Sequence, residues 1–94
     1  MMAYDVRWSR RALKELASIE RQQRAIVASW VNEHLQGSEN PTQVGDCKRL
    51  RGVKNGWRWR VGRYRILGRL IDDELVIDLF RVGHRRDVYD NLPK

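Results

Sequence analysis

The residues best equipped for chemistry fall in two stretches of the second half of the chain. In Trp57-Arg58-Trp59-Arg60-Val61, tryptophans and arginines alternate. In Arg81-Val82-Gly83-His84-Arg85-Arg86-Asp87-Val88-Tyr89, an imidazole, several guanidiniums and a phenol lie within nine residues. Cutting RNA at a phosphodiester requires a 2′-hydroxyl to lose its proton, developing phosphorane charge to be stabilised, and the 5′-oxygen to gain a proton. Arginine suits the second task, because its planar fork binds two phosphate oxygens at once. A histidine such as His84 can move a proton near neutral pH, and Tyr89 can stack on a base or orient the scissile phosphate. This chemistry needs neither a carboxylate pair nor a metal, and no Cys/His group has metal-ligand spacing. No cofactor is therefore expected.

The charge supports a polyanionic partner. Among 94 residues, 19 Lys and Arg face 12 Asp and Glu, a formal charge of +7. The excess is uneven: residues 1–45 carry six basic and five acidic groups, and residues 46–94 carry thirteen and seven. Lys48, Arg51, Lys54, Arg63, Arg81 and Arg86 are the candidate RNA-binding residues around the two stretches. Hydrophobic residues make up 41 % of the chain, enough for one small core and a single domain over residues 1–94. No apolar run approaches the roughly 20 residues that cross a bilayer. The start lacks a secretion signal, and the lone Cys47 cannot form an internal disulfide. Export, membrane insertion and structural zinc are not expected, and the cytoplasm is the expected location.

The elements that must position these groups follow from periodicity. Tyr4, Val6 and Trp8 alternate with Asp5 and Arg7, the pattern of a half-buried strand. Ser9 can cap a helix, in which Leu13, Leu16 and Ala17 form the apolar stripe with Arg10, Arg11, Lys14 and Glu15 outside. The stripe breaks phase near Glu20-Arg21-Gln22. A second helix places Ile26, Val27, Trp30, Val31, His34 and Leu35 on one side and ends at Gly37. Residues 37–45 read as loop, and Cys47 to Gly52 as a short irregular segment before a turn at Lys54-Asn55-Gly56. Three strands follow: Trp57 to Val61, Tyr64 to Ile71 and Leu75 to Val82, with Asp72-Asp73-Glu74 turning the last pair into a hairpin. The predicted fold is α+β: an N-terminal strand, a helical hairpin, and a three-strand antiparallel meander in one sheet with the helices on one face.

On that scheme both tryptophans of the alternating strand enter the core. Arg58 and Arg60 then project from the opposite face about 7 Å apart. Arg65 joins them from the neighbouring strand, with Arg81, Arg85 and Arg86 at or beyond the end of the last strand. A solvated face whose arginine stems cover apolar surface is the plainer reading of such a strand. Plainer readings hold elsewhere too. His34 is a core-edge or solvent residue, Cys47 a small buried side chain without a neighbouring base, and Asp78 a structural partner for a nearby arginine. His84 beside two arginines can also be a bystander.

Read together, these segments resemble the RelE/ParE superfamily of toxins from type II toxin–antitoxin pairs. The resemblance runs from Tyr4-Asp5-Val6-Arg7-Trp8 and Ala12-Leu13-Lys14-Glu15-Leu16 through Leu50-Arg51-Gly52. Its most specific parts are Trp57 to Ile66 and Val82 to Tyr89. It is nearest the RelE branch, whose members cut messenger RNA in the ribosomal A site. The resemblance implies catalytic roles for Arg58, Arg60, Arg65, Arg85 and Tyr89. Arg58 and Arg60 stand where the branch's defining toxin carries two lysines. Arginine, unlike a crowded lysine, does not give up its proton, so His84 becomes the candidate proton carrier.

The resemblance further implies a cognate RelB-like antitoxin, the ribosome and mRNA as partners, and operator DNA contacted only through the antitoxin complex. An antitoxin helix or strand is expected on the helical face or across the sheet, where an acidic or amphipathic segment would fold on binding. The ParE branch offers the alternative function, inhibition of DNA gyrase without nuclease activity. An inactive nucleic-acid-binding module is the third reading.

Overall fold

The computed structural model describes residues 2–84, 86–90 and 92, with backbone alone at 86 and 87. Strand β1 (Asp5–Trp8) leads into helices α1 (Arg10–Ser18) and α2 (Arg21–His34). After a short 3-10 turn at Pro41–Gln43 come β2 (Asp46–Arg49), β3 (Gly56–Val61), β4 (Tyr64–Ile71) and β5 (Val76–Gly83), then a 3-10 turn at Arg86–Tyr89. The strands form one sheet in the order β1-β5-β4-β3-β2, with β1 parallel to β5 and every other pair antiparallel. The α+β class and the β3–β5 meander are those expected from the sequence. The fifth strand, β2, is not. Asp46, Lys48 and Arg49 are exposed and Cys47 alone is half-buried, so this edge strand carries none of the apolar alternation that reveals a strand.

Helix α1 shows a second difference. Ser9 caps it as expected, its Oγ accepting the Ala12 N–H at 3.0 Å. Its inward residues, however, are Ala12, Glu15, Leu16 and Ile19, while Leu13 is 50 % exposed and Ala17 exposed. The inward stripe is rotated by one residue from the predicted one because a charged side chain belongs to it. Strand β1 pairs with β5 only as far as Trp8 opposite Leu79, and the Ser9 N–H donates to the Leu79 carbonyl at 2.8 Å. Beyond Leu79 that edge of β5 would be bare. Here Glu15 turns in: its Oε1 accepts the Val82 N–H at 3.1 Å and its Oε2 the Arg81 Nε at 2.9 Å.

Glu20 caps α2, accepting the N–H groups of Gln22 (3.1 Å) and Gln23 (3.3 Å). Val27, Val31 and Leu35 are its buried residues, at four-residue spacing. Ile26 (54 % exposed) and His34 face solvent, while Trp30 is half-buried against the core, so four of the six predicted stripe residues pack. Gly37, at φ +80°, reverses the chain after the helix and donates its N–H to the Tyr4 carbonyl.

Trp59 anchors the layer between helices and sheet. It is fully buried, clusters with Val27, Val31, Ile66 and Leu79, and its indole N–H donates to the Pro41 carbonyl at 2.8 Å. Gly68 makes room for it. A Cβ there would lie 2.8 Å from Leu79 Cδ2, 3.1 Å from the Asp78 carbonyl and 3.2 Å from Trp59 Cζ3. The other sheet face is not the open basic surface expected: Leu50, Val53, Leu67, Phe80 and Val88 form a second, smaller cluster on it. Gly68→Ala should therefore lower stability by about 1–3 kcal/mol, measured by urea unfolding. An unchanged midpoint would contradict this packing.

Candidate active site

The strand register sets the arginines in place. Asp46 lies opposite Arg60, Arg60 opposite Arg65, and Arg65 opposite Gly83, so one row crosses four strands from β2 to β5. The next row holds Lys48, Arg58 and Leu67, and Leu67 is the buried edge of the second apolar cluster. The candidate site arginines of β3 and β4 therefore gather towards one end of this face, while Arg7 and Arg69 pair with Asp78 at the other. Directly opposed residues bring their Cβ atoms to about 5 Å, where like charges repel. Arg60 and Arg65 are such a pair. Arg60 is exposed and makes no ion pair among the described residues. Arg58 differs: its side chain is 11 % exposed, and Nη2 lies 3.6 Å from Asp46 Oδ1. Lys48 is exposed on the edge strand beside it.

Two further groups converge on Arg65. Its Nη1 donates to the His84 carbonyl at 3.4 Å, and its guanidinium carbon lies 5.8 Å from the centre of the Tyr89 ring. The His84 ring is exposed and meets the Tyr64 ring edge-on, 5.5 Å between centroids. The turn that carries Tyr89 is seated by Val88, which is 3 % exposed. Gly83 admits it, since a Cβ at that position would come 2.6 Å from Val88 Cγ1. Behind His84, between the α1–α2 turn and the end of β5, a cleft of about 390 Å³ is lined by Ser18, Ile19, Tyr64, Val82 and Gly83. His84 thus forms the rim between this cleft and the arginine row.

The other sequence candidates are placed as follows. Arg63 sits exposed in the β3–β4 turn, at the same end of the sheet as Arg60 and Arg65. Arg51 and Lys54 are exposed in the β2–β3 connection. That connection joins the opposite end of β3, about 13 Å or more away at the rise of a strand, so these two do not join the arginine row. Arg81 is 5 % exposed, held by Glu15 and by the Asp90 carbonyl at 2.6 Å from Nη1. A phosphate outside cannot reach a guanidinium so enclosed, and Arg81 is not part of the exposed basic surface. Arg85 and the side chain of Arg86 lie outside the described residues.

Asp78 is the structural partner expected, 3.8 Å from Arg7 Nε and 3.6 Å from Arg69 Nε. Two groups went unread in the sequence. Asp46 tempers Arg58 but sits on the unpredicted strand β2, and Glu15 reads as a solvent-facing charge. Among the described residues, no group of three or more His, Cys, Asp and Glu could hold a metal ion.

A family model described as the ParE toxin of the type II toxin–antitoxin system parDE matches residues 6–89. The toxin RelG of Mycobacterium tuberculosis is 32 % identical over 88 residues, covering 94 % of this chain and 98 % of that protein. Of solved structures, the RelBE toxin–antitoxin complex of M. tuberculosis superposes with a TM-score of 0.75 at 30 % identity, over 88 % of this chain and 99 % of that one. A substituted form of the Escherichia coli toxin RelE in the free state gives 0.69 at 26 % identity, over 94 % and 92 % of the two chains. Two helices on a five-stranded mixed sheet are the fold these toxin structures share with this chain. This chain belongs to the RelE/ParE superfamily of such toxins.

Cys47 is no rival nucleophile. Burial pushes its thiol up to about 11 from an ordinary 9.0, against the opposing pull of Arg58. At pH 8 this leaves on the order of 100-fold less thiolate than in the unfolded chain. Alkylation by iodoacetamide should be slower in the folded protein by at least that factor, read by mass spectrometry with and without urea. Comparable rates in the two states would contradict the burial of Cys47.

Proposed function

We propose that this toxin is a ribosome-dependent endoribonuclease that cuts mRNA in the A site and so arrests translation. One observation carries the reading: Arg60 and Arg65 face each other across β3 and β4, with the Tyr89 ring over Arg65, and although Asp46 lies opposite Arg60 on β2, Arg60 forms no ion pair among the described residues. Two guanidiniums held against their mutual repulsion make a site that an anion stabilises. A phosphodiester places its two non-bridging oxygens within reach of both forks.

In the proposed reaction the 2′-oxygen forms a bond to phosphorus and the bond from phosphorus to the 5′-oxygen breaks. The products are a 2′,3′-cyclic phosphate and a free 5′-hydroxyl. Arg60 and Arg65 hold the non-bridging oxygens, whose charge is greatest in the transition state. Arg58, tempered by Asp46, supports them from the next row, and Arg85 adds a further cation to the site. Tyr89 stacks on the neighbouring base or orients the phosphate. His84, exposed at the rim, takes the proton of the 2′-hydroxyl or gives one to the 5′-oxygen, and water exchanges the other proton. No step of this scheme requires a metal. Lys48, Arg63 and Arg86 bind the flanking backbone, with Arg51 and Lys54 as an outlying pair.

Relatives were solved as toxin–antitoxin complexes, RelBE2 of M. tuberculosis and RelB–RelE of Methanococcus jannaschii among them. By extension this chain is neutralised by a cognate RelB-like antitoxin, an acidic or amphipathic segment of which covers the arginine row, and contacts operator DNA only through that complex. The toxin acts in the cytoplasm, where ribosomes are. No helix among the described residues is long and apolar enough to cross a membrane. The family model that matches is that of the ParE toxin, which favours the second reading, inhibition of DNA gyrase without nuclease activity.

Primer extension on ribosomes programmed with a defined message decides between them. The wild-type toxin should cut in register with the A-site codon. Arg65→Ala and Tyr89→Ala should each lose on the order of 100-fold or more in rate while keeping the native circular-dichroism spectrum. Wild-type rates in both folded variants would overturn the site. An intact message together with stalled gyrase–DNA complexes would overturn the nuclease reading in favour of the other branch.

A further inference from the structure

We infer that Glu15 and Arg81 are positioning residues, a brace that holds His84 and Tyr89 in register with Arg65. The inference rests on the nuclease reading above. Glu15 reaches the site segment at both of its ends. Directly, its Oε1 accepts the Val82 N–H at 3.1 Å, two residues before His84. Through Arg81, whose Nε it binds at 2.9 and 3.2 Å, it reaches the Asp90 carbonyl, 2.6 Å from Nη1 and one residue after Tyr89. Arg11 Nε lies 3.9 Å from Glu15 Oε2 on the outer side of the helix.

The end of β5 at Val82 and the chain just after Tyr89, at Asp90, are thus both tied to one carboxylate of α1. The segment's other described attachments are Arg65 to the His84 carbonyl and the Tyr89 ring, the His84 ring to that of Tyr64, and Val88 against Gly83 and in the second apolar cluster. The brace is rigid for two reasons. The Arg81 side chain is 7 % exposed and that of Glu15 23 %, so the pair is shielded from water and held by hydrogen bonds as well as charge. Glu15 is also fixed by its helix, since Ser9, six residues earlier, is tied to β5 through the Leu79 carbonyl at 2.8 Å. A displacement of about 1 Å at a reacting group can cost about 100-fold in rate. A brace that fixes both ends of this segment therefore acts on the reaction without touching substrate.

Two variants test this in the full chain. Arg81→Lys keeps the charge but replaces the fork with one point, which cannot hold Glu15 and the Asp90 carbonyl in the same geometry. Glu15→Gln keeps the acceptor for the Val82 N–H and removes the charge facing Arg81. For each, single-turnover cleavage on ribosomes is measured well below the Tm, together with amide hydrogen exchange at Val88, Tyr89 and Asp90. The expected result is a 10- to 100-fold fall in the maximal rate, with an unchanged ribosome concentration for half-saturation and faster exchange confined to those amides. A lowered Tm with wild-type cleavage rate and wild-type exchange would overturn the brace and leave a purely structural ion pair. Wild-type toxin that cuts nothing would instead sink the nuclease reading, and the exchange experiment would still decide whether the brace holds the loop.

Discussion

The half-bare edge of β5 is the constraint around which the rest of the molecule is arranged. Strand β1 covers β5 only through Leu79, and the last turns of that edge are closed by a helix, which offers side chains rather than a ladder of backbone groups. A single carboxylate solves the problem by accepting a backbone N–H and a guanidinium together. Buried ion pairs are seldom strong net contributors to stability, because desolvation offsets the attraction. What this pair provides is geometry, since it fixes the direction in which the chain leaves the sheet. The loop bearing His84 and Tyr89 begins at that point.

The opposite sheet face shows how a basic site is kept small. Leu50, Val53, Leu67, Phe80 and Val88 cover its middle, and Asp78 takes up Arg7 and Arg69 towards the far end. What is left is one end, where Arg60 and Arg65 oppose each other. A free charge of this kind opposes folding, and its persistence beside carefully paired arginines is a physical reason to assign it to a ligand. The same face is therefore partly core and partly site, and Val88 and Tyr89, adjacent in sequence, divide between the two.

Much of this was legible in the sequence because the relevant signals are local. Strong alternation locates β3, Ser9 announces α1, and Gly37 ends α2. The row of Arg60 and Arg65 follows once the β3–β4 hairpin is known. The failures share one cause. A charged residue paired inside the protein has the same letter as one in water, so the sequence alone places Glu15 outside, sets the α1 stripe one residue off, and groups Arg81 with the exposed cations. Strand β2 was missed for a related reason: an edge strand of Asp, Cys, Lys and Arg is held by backbone pairing with β3, which has no side-chain signature. Of the predicted α2 stripe, Ile26 is the apolar residue that faces solvent.

The most direct test is to see the substrate in place. The toxin should be trapped on a ribosome carrying a message whose A-site 2′-hydroxyl is replaced by hydrogen, which removes the attacking group and leaves the phosphate. Cryo-electron microscopy of that complex should find the phosphate between Arg60 and Arg65, with a base on Tyr89 and His84 near the missing hydroxyl. A toxin bound through another surface, with this row facing solvent, would contradict the account.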